Sequence, residues 1–164
     1  RLFDDPLLTA RDVFRGRPLT RVVFDRRLGT PPTAALFSTL RTGPVIILTV
    51  AATAARDRDR VAALERAGAT VIAPEETGIA AALRELPARE IHCLLIEGGA
   101  ELHCAAWDAG VVDSVQLYVA PEPLGAGGLP LLPGRVFSPA ALHEARVDQL
   151  GPDVLIEGYV HRPH

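Results

Sequence analysis

The sequence predicts a three-layer α/β protein, in which helices cover a mixed, mostly parallel sheet that ends in an antiparallel hairpin. Two observations lead to this fold class. Along most of the chain, short apolar runs alternate with stretches whose apolar residues recur at helical spacing, which is typical of a parallel sheet covered by helices. Near its end the chain changes to two alternating stretches around Gly151-Pro152, which indicates a terminal hairpin.

The composition is that of a globular protein of one domain. The chain has 164 residues, of which 48% are hydrophobic and 23% charged, and this excludes a disordered tail. A net charge of −3 gives no electrostatic reason to expect a nucleic-acid partner. No apolar run approaches the roughly 18 residues that a membrane span needs, and residues 1–6 lack the apolar core of a signal peptide. We therefore expect no membrane partner.

The two cysteines, Cys93 and Cys104, form neither a disulfide framework nor a metal-binding pattern. We expect both to be reduced packing residues. A cytoplasmic location without a bound metal is the simplest account of this usage.

The first half of the chain supplies three predicted strands and two predicted helices. The strands are residues 21–25, 45–49 and 70–73, and the helices are residues 56–67 and 77–86. The apolar run 45–49 predicts a strand that is buried on both faces. Val61, Leu64 and Ala67 stand at helical spacing, and Gly68 follows them as a helix stop.

A loop precedes these elements at residues 4–11, because Pro6 bars a central strand. Arg11 ends the loop, and its guanidinium could grip a phosphate through two parallel hydrogen bonds. A solvated surface arginine is the alternative interpretation.

The stretch from Leu94 to Leu102 carries the strongest functional signal. A predicted strand over residues 92–97 ends in Glu97, two glycines turn the chain, and a helix is predicted over residues 100–109. Glycines without a Cβ let a phosphate approach the backbone, and the free N–H groups of a helix N-terminus attract an anion. The alternative is a tight strand-to-helix connection without a ligand.

The last third of the chain predicts a strand over residues 112–120, a long loop over residues 121–134, and a hairpin of residues 142–150 and 153–160. The loop is rich in proline and glycine, and it could be a lid or an oligomer contact. His103 and Trp107 form an i, i+4 pair in the preceding helix, for which packing is favoured over a cofactor role.

The chain resembles the reductase domain of the bifunctional riboflavin-biosynthesis deaminase/reductase, which has a dihydrofolate-reductase-like fold. The segments that carry the resemblance are residues 4–11, 21–25, 95–99, 110–113, 118–121 with Leu124-Gly125, and 150–154. Each motif is weak, but they occur in the order of the family over essentially the whole chain. The resemblance therefore implies one reductase domain over residues 1–164.

The resemblance implies NADPH-dependent reduction of 5-amino-6-(5-phosphoribosylamino)uracil to the ribitylamino product. The implied catalytic residues are Asp4 and Glu97, either of which could orient the substrate or assist proton delivery. The implied substrate-binding residues are Leu8, Arg11 and Glu97. The implied cofactor-binding residues are Asp4, Arg26, Gly98, Gly99, Ala100, Glu101, Leu102, His103, Cys104 and Ala105. Arg26 could contact the extra phosphate of NADP or lie in solvent.

Three further expectations follow from the resemblance. The family has a strand, a helix and a second strand before the Asp-Asp-Pro loop, so we expect that this domain lacks them or that they lie outside the printed sequence. The zinc motif of the deaminase half is absent, so no zinc chemistry is expected. A homodimer is implied, with a monomer whose loop 121–134 covers its own pocket as the alternative.

Two other functions remain open from the residues alone. One is a stand-alone enzyme of the same fold that reduces another pterin or pyrimidine. The other is a nucleotide-binding or scaffolding module without catalysis. An enzyme should bind NADPH in preference to NADH, whereas a scaffold should bind neither.

Overall fold

The structure is a computed structural model that describes residues 5–9 and 16–162. The chain divides into two compact units, one that ends at Leu94 and one that begins at Leu95. The first unit contains a parallel sheet and the second an antiparallel sheet. The predicted α/β class, with parallel strands first and an antiparallel hairpin last, is confirmed. The strands pair in two sheets rather than in one.

The parallel sheet has the strand order β1-β2-β3. Its strands are β1 (Arg21–Phe24), β2 (Val45–Leu48) and β3 (Ala69–Ile72). Every residue of β2 is buried, as its unbroken apolar sequence predicts for the central strand of a parallel sheet. All three predicted strands of this region are confirmed, each within a residue of the expected ends.

Two core clusters cover the opposite faces of the parallel sheet. Val45 and Ile47 of β2 point into one cluster, and Ile46 and Leu48 point into the other. The first cluster is completed by Leu28, Ala34, Leu36, Leu64 and Ala69, and the second by Ile72, Ala82 and Leu86. Because side chains alternate between the two faces along a strand, β2 contributes residues to both core clusters.

The helices of the first unit are α1 (Ala51–Arg56), α2 (Arg58–Arg66) and α3 (Ile79–Arg84), with 3₁₀ turns at Ala35–Thr42 and Pro87–Arg89. The single helix predicted over residues 56–67 is therefore wrong in its first turn. Asp57 breaks it, with φ −113° and ψ 51°. The N–H of Asp57 donates to Thr53 at the end of α1, and its carbonyl accepts from Arg60 and Val61 at the start of α2.

The second unit begins with α4 (Ala100–Asp108), which confirms the helix predicted after Gly99. Its sheet has the order β4-β6-β5, with β4 (Ser114–Val119), β5 (His143–Leu150) and β6 (Asp153–Tyr159). The hairpin of β5 and β6 is antiparallel and sets Val147 opposite Ile156. The predicted terminal hairpin is confirmed.

The strand predicted over residues 92–97 is wrong, because residues 91–99 form no strand. Ile91 and Leu94 pack instead against the cluster around Ile46, so part of the apolar run completes the core of the first unit. Leu95 is 69% exposed. Cys93, expected to pack, is also exposed, whereas Cys104 is buried as predicted.

The connection between β4 and β5 has little regular structure, as its prolines and glycines predict. Within it lie 3₁₀ turns at Gly125–Gly127 and Pro139–Ala141. Across residues 5–9 and 16–162, every helix falls short of the length and apolar character that crossing a membrane requires.

Candidate functional site

The N-terminus of α4 follows directly on Glu97-Gly98-Gly99. The carbonyl of Gly99 accepts hydrogen bonds from the N–H groups of Leu102, at 3.0 Å, and His103, at 3.1 Å. The N–H groups of Ala100 and Glu101 donate to no other residue in the described parts of the chain. Two backbone donors at the positive end of the helix dipole are thus available to an anion.

The two glycines before α4 have different structural roles. A Cβ on Gly98 would lie 2.6 Å from Cδ2 of Leu102, so any larger residue at position 98 would force the Leu102 side chain to shift. A Cβ on Gly99 would meet no atom within 4 Å. Gly99 has φ −64° and ψ 177°, a conformation open to any residue. Neither packing nor backbone geometry requires a glycine there, and its bare backbone leaves space beside the free N–H groups.

Two carboxylates lie beside this helix N-terminus. Glu97 precedes the glycines and Glu101 lies in the first turn of α4, and both residues are exposed. The positive end of the helix favours both negative charges. Their negative charges oppose the binding of a phosphate at the same place.

The second turn of α4 is anchored to its own unit. Nε2 of His103 lies 3.3 Å from the carbonyl oxygen of Ile96, within reach of a hydrogen bond to the chain before the glycines. Cys104 is buried, and its Sγ lies 3.9 Å from the carbonyl oxygen of Pro133. Ala105 is exposed. These residues therefore connect α4 to the segments on either side of it.

The far end of α4 is clamped to the loop before β5. Trp107 packs edge-on against Phe137, with 5.6 Å between ring centroids and 87° between ring planes. The packing role expected for Trp107 is confirmed. Arg135 donates to both carboxylate oxygens of Asp108, with 3.0 Å from Nε to Oδ1. Hydrogen bonding from Arg135 lowers the pKa of Asp108 below its ordinary value.

In the first unit, a tight turn follows the carboxyl end of β1. The Asp25 carboxylate accepts the N–H of Gly29 at 2.8 Å and that of Thr30 at 2.7 Å. Leu28, fully buried, adopts φ 52° inside this turn. The side chain of Arg60 donates to the carbonyls of Leu28 and Gly29. The turn over residues 25–30 is therefore fixed by side chains from two elements.

This turn presents Arg26 and Arg27 to solvent. Both are exposed, and neither forms an ion pair with another described residue. The carbonyl of Arg26 accepts from Oγ1 of Thr49 at 3.4 Å, so the turn lies against the carboxyl end of β2. Two unneutralised guanidinium groups at the carboxyl edge of a parallel sheet suit a phosphate.

A cavity of about 440 Å³ opens at the same sheet edge, directly after Thr49. Its lining is mostly apolar and consists of Val50, Ala51, Ala52, Ala55, Glu75 and Thr77. None of these residues was predicted from the sequence to belong to a site. The signal that could have found them is their position, because they follow β2 and β3 at the edge where open α/β sheets bind ligands.

The first residue of β1, Arg21, is buried at 2% exposure. Its guanidinium donates to the carbonyls of Leu36 at 2.8 Å, Thr39 at 3.0 Å and Gly43 at 2.6 Å, and burial lowers its pKa. No carboxylate within the described ranges pairs with it. Arg21 therefore ties β1 to the 3₁₀ segment and to the loop before β2, a structural role.

The predicted site residues fall in both units. Glu97 and residues 98–105 are contiguous in the second unit, and Leu8 and Arg26 lie in the first. Leu8 is half-buried with φ 52°. Asp4 and Arg11 lie outside the described residues. Among residues that are described, no three His, Cys, Asp or Glu side chains are grouped as a metal site.

Comparison with protein families matches residues 2–156 to the model of the RibD C-terminal domain. Among curated proteins, the chain is 32% identical over 158 residues to the riboflavin biosynthesis protein RibD of Bacillus amyloliquefaciens and 27% identical over 175 residues to that of Actinobacillus pleuropneumoniae. These alignments cover 92% and 99% of this chain, but 42% and 44% of the relatives. The chain thus spans less than half the length of these relatives.

Solved structures show the same fold. Acinetobacter baumannii RibD, form 2, matches with a TM-score of 0.67 at 22% identity, over 95% of this chain and 43% of its own. A second match is a diaminohydroxyphosphoribosylaminopyrimidine deaminase/5-amino-6-(5-phosphoribosylamino)uracil reductase of Thermotoga maritima. Its TM-score is 0.67 at 22% identity, over 96% of this chain and 42% of its own. A pyrimidine reductase-like protein of Corynebacterium diphtheriae matches with a TM-score of 0.62 at 24% identity, over 89% of this chain and 62% of its own.

Proposed function

The chain belongs to the RibD C-terminal domain family, and from this membership we propose that it reduces 5-amino-6-(5-phosphoribosylamino)uracil to the ribitylamino product with NADPH, a step of riboflavin biosynthesis. The observation that carries the proposal is the family match over residues 2–156, which includes the Glu97-Gly98-Gly99 turn and α4. The match spans both compact units, and the proposal therefore assigns both to one reductase domain.

The residues present fit a dinucleotide phosphate at two places. The open backbone at Gly99 and the free N–H groups of Ala100 and Glu101 suit the pyrophosphate. At the parallel sheet, exposed Arg26 suits the extra phosphate of NADPH. The adjoining cavity of about 440 Å³ has an apolar lining and a volume suited to the nucleoside that carries this phosphate.

The rest of the proposed cofactor set, Gly98 and the residues from Leu102 to Ala105, supports this turn. Gly98 permits the close approach of the chain to Leu102. His103 and Cys104 anchor the second turn of α4. These residues hold the helix in place, and Ala105 adds an exposed small side chain on the same turn.

The proposed reaction assigns binding and proton handling to the protein. NADPH, when bound, supplies the hydride that reduces C1 of the ring-opened ribosylamine. Leu8 lines the substrate pocket and Arg11 binds the substrate phosphate. Asp4 and Glu97 orient the substrate, and one of them assists the proton transfer that accompanies reduction. The exposure of Glu97 leaves its carboxylate accessible to a small molecule.

A homodimer is the proposed assembly. The apolar residues that the antiparallel sheet exposes, among them Val147 at 67%, support an interface there.

Turnover measurements test the assignment of the acids. We expect Glu97→Gln and Asp4→Asn to lower kcat/KM for the pyrimidine substrate, by at least about tenfold for the residue that handles the proton. Glu90→Gln is the matched control, because Glu90 is an exposed glutamate seven positions away that the proposal does not use. Full turnover and affinity in both site variants would contradict the assignment.

Cofactor binding tests the phosphate contacts separately, with the fluorescence of Trp107, the one tryptophan, as the readout. We expect Gly99→Thr to weaken NADPH binding about tenfold without loss of stability, since threonine is a good N-cap and its Cβ meets nothing. Ala109→Thr at the other end of α4 should leave binding unchanged.

The choice between NADPH and NADH tests Arg26. Arg26→Gln should weaken NADPH binding several-fold and leave NADH binding unchanged, because NADH lacks the extra phosphate. Arg27→Gln is the matched control, with the same charge change on the next residue. If both variants weakened NADPH binding equally, Arg26 would contribute only through its positive charge and not through a specific contact with the phosphate.

A further inference from the structure

The outer strand of the antiparallel sheet, β5, has a free edge. It pairs with β6 on one side, and on its other side no strand pairs with it among the described residues. All of its residues after His143 are exposed, and Val147 and Leu150 are 67% and 46% exposed. A strand edge of this kind offers unpaired N–H and C=O groups to another strand.

Protection against edge pairing is limited to the first residues of β5. The register shifts between His143 and Arg146, and Glu144 within this bulge has φ 51°. Bulges of this kind bend an edge away from further pairing. The stretch from Arg146 to Leu150 is regular and contains no proline, and its two charges, Arg146 and Asp148, are of opposite sign. Five consecutive residues are therefore available to another strand.

We propose that Arg146–Leu150 pairs antiparallel with the same segment of a second copy, about a twofold axis at Val147, and joins two antiparallel sheets into one. In this register Arg146 lies opposite the partner's Asp148, and Asp148 lies opposite the partner's Arg146. Val147 meets the partner's Val147 on the other face. The proposal deepens the homodimer of the proposed function by naming its contact surface.

Within the regular stretch from Arg146 to Leu150, the sequence of β5 is self-complementary in this register only. A twofold axis at Arg146 or at Asp148 would set like charges directly opposite each other, which destabilises an antiparallel pair. The other edge strand, β4, contains no charged residue, so pairing of β5 with β4 of a second copy would leave both charges without opposite partners. Charge complementarity thus selects a second copy of β5 as the occupant.

The charge pattern within one copy supports the same register. Glu157 of β6 lies opposite Arg146 and on the same face of the sheet, yet no ion pair forms between them. Glu157 accepts instead from Gln116 of β4, at 3.3 Å. Arg146 is therefore free to reach outward, to a carboxylate on the next strand.

Charge reversal tests the register by sedimentation velocity of the 164-residue chain. The wild type should sediment as a species with twice the 17.5 kDa mass of one chain. Arg146→Asp and Asp148→Arg should each raise the dimer dissociation constant about tenfold or more, because each sets two like-charge pairs across the axis. An equimolar mixture of the two variants, and the double variant Arg146→Asp/Asp148→Arg, should restore dimerisation.

Restoration in the mixture also controls for folding, since a misfolded variant would not regain a partner. A monomeric wild type at tens of micromolar, or single variants that dimerise as the wild type does, would overturn the proposal. Cofactor binding measured on the same samples keeps the two proposals separate. A monomer that binds NADPH would contradict the interface alone, and a dimer that does not would contradict the cofactor assignment alone.

A cross-link tests the axis position directly. Cysteines opposite each other in an antiparallel pair lie within disulfide distance. Val147→Cys in a Cys93→Ser background should therefore give a symmetric disulfide dimer under mild oxidation. Glu144→Cys in the same background is the matched control and should cross-link at least about tenfold more slowly. Equal rates would contradict an axis at Val147.

Discussion

The two sheets of this chain differ in how completely they bury their apolar side chains. Every residue of the central parallel strand, Val45–Leu48, is buried, and helices and turns supply both of its cores. In the other unit, the strand Ser114–Val119 leaves the side chains of Tyr118 and Val119 63% and 42% exposed. Chain connectivity explains the difference, because parallel strands need crossover segments that cover the sheet, whereas the connection from β4 to β5 contains only 3₁₀ turns and the β5–β6 hairpin brings no cover with it.

The comparison predicts that stability is concentrated around the parallel sheet, and Arg21→Met is the strongest test. The substitution leaves the carbonyls of Leu36, Thr39 and Gly43 buried without their donor. We expect a loss of about 4 kcal/mol in the free energy of unfolding. Urea denaturation measures it, with Arg66→Met on the exposed face of α2 as a control that should change stability by less than about 0.5 kcal/mol.

Equivalent truncations in the two sheets sharpen the comparison. Ile47→Ala removes a fully buried side chain and should cost about 3 kcal/mol in unfolding free energy. Val147→Ala should cost less than about 0.5 kcal/mol when the chain is kept dilute enough to be monomeric. Equal losses in urea denaturation would mean that the antiparallel sheet is as tightly packed as the parallel one.

The turn after β1 gives an intermediate effect. Asp25→Asn replaces one of the two oxygens that accept the N–H groups of Gly29 and Thr30 with a second donor. We expect a loss of about 1 kcal/mol and weaker NADPH binding, because the turn carries Arg26. Asp148→Asn, on exposed β5, should change neither quantity in the monomer. Unaltered stability of Asp25→Asn would show that the turn does not depend on the carboxylate.

The smallest effect concerns the clamp at the end of α4. Since Arg135 lowers the pKa of Asp108 in the folded state, the charged pair stabilises the fold at pH values above the unfolded pKa of 3.8. This contribution is lost as the pH falls through the lower, folded pKa. Thermal unfolding of the wild type and of Asp108→Asn should therefore differ slightly at neutral pH and converge in strong acid. A difference that persists in strong acid would assign the effect to packing.

The buried half of the fold was the easier part to predict. The apolar run of β2 has one physical solution, a strand with both faces covered, and the structure confirms it. The run Leu94-Leu95-Ile96 has the same local character but forms no strand, because Leu94 completes a core and no strand pairs with this segment among the residues described. A strand depends on a partner that local sequence does not specify.

The candidate site was predictable where a motif is local. Glycines before a helix can be read from the sequence, and α4 begins where they predict. The cavity beyond Thr49 and the burial of Arg21 depend on contacts between distant segments. An arginine at the start of a strand is ordinarily exposed, so no local signal distinguishes Arg21 from the other arginines.

The turn over residues 25–30 has a consequence for the thermodynamics of recognition. Asp25 and Arg60 hold its backbone through hydrogen bonds that involve no ligand. Its backbone conformational entropy is therefore lost during folding, and the phosphate contact proposed for Arg26 would remove only side-chain freedom. Pre-organisation of this kind lowers the entropy cost of binding, which raises affinity without any additional contact.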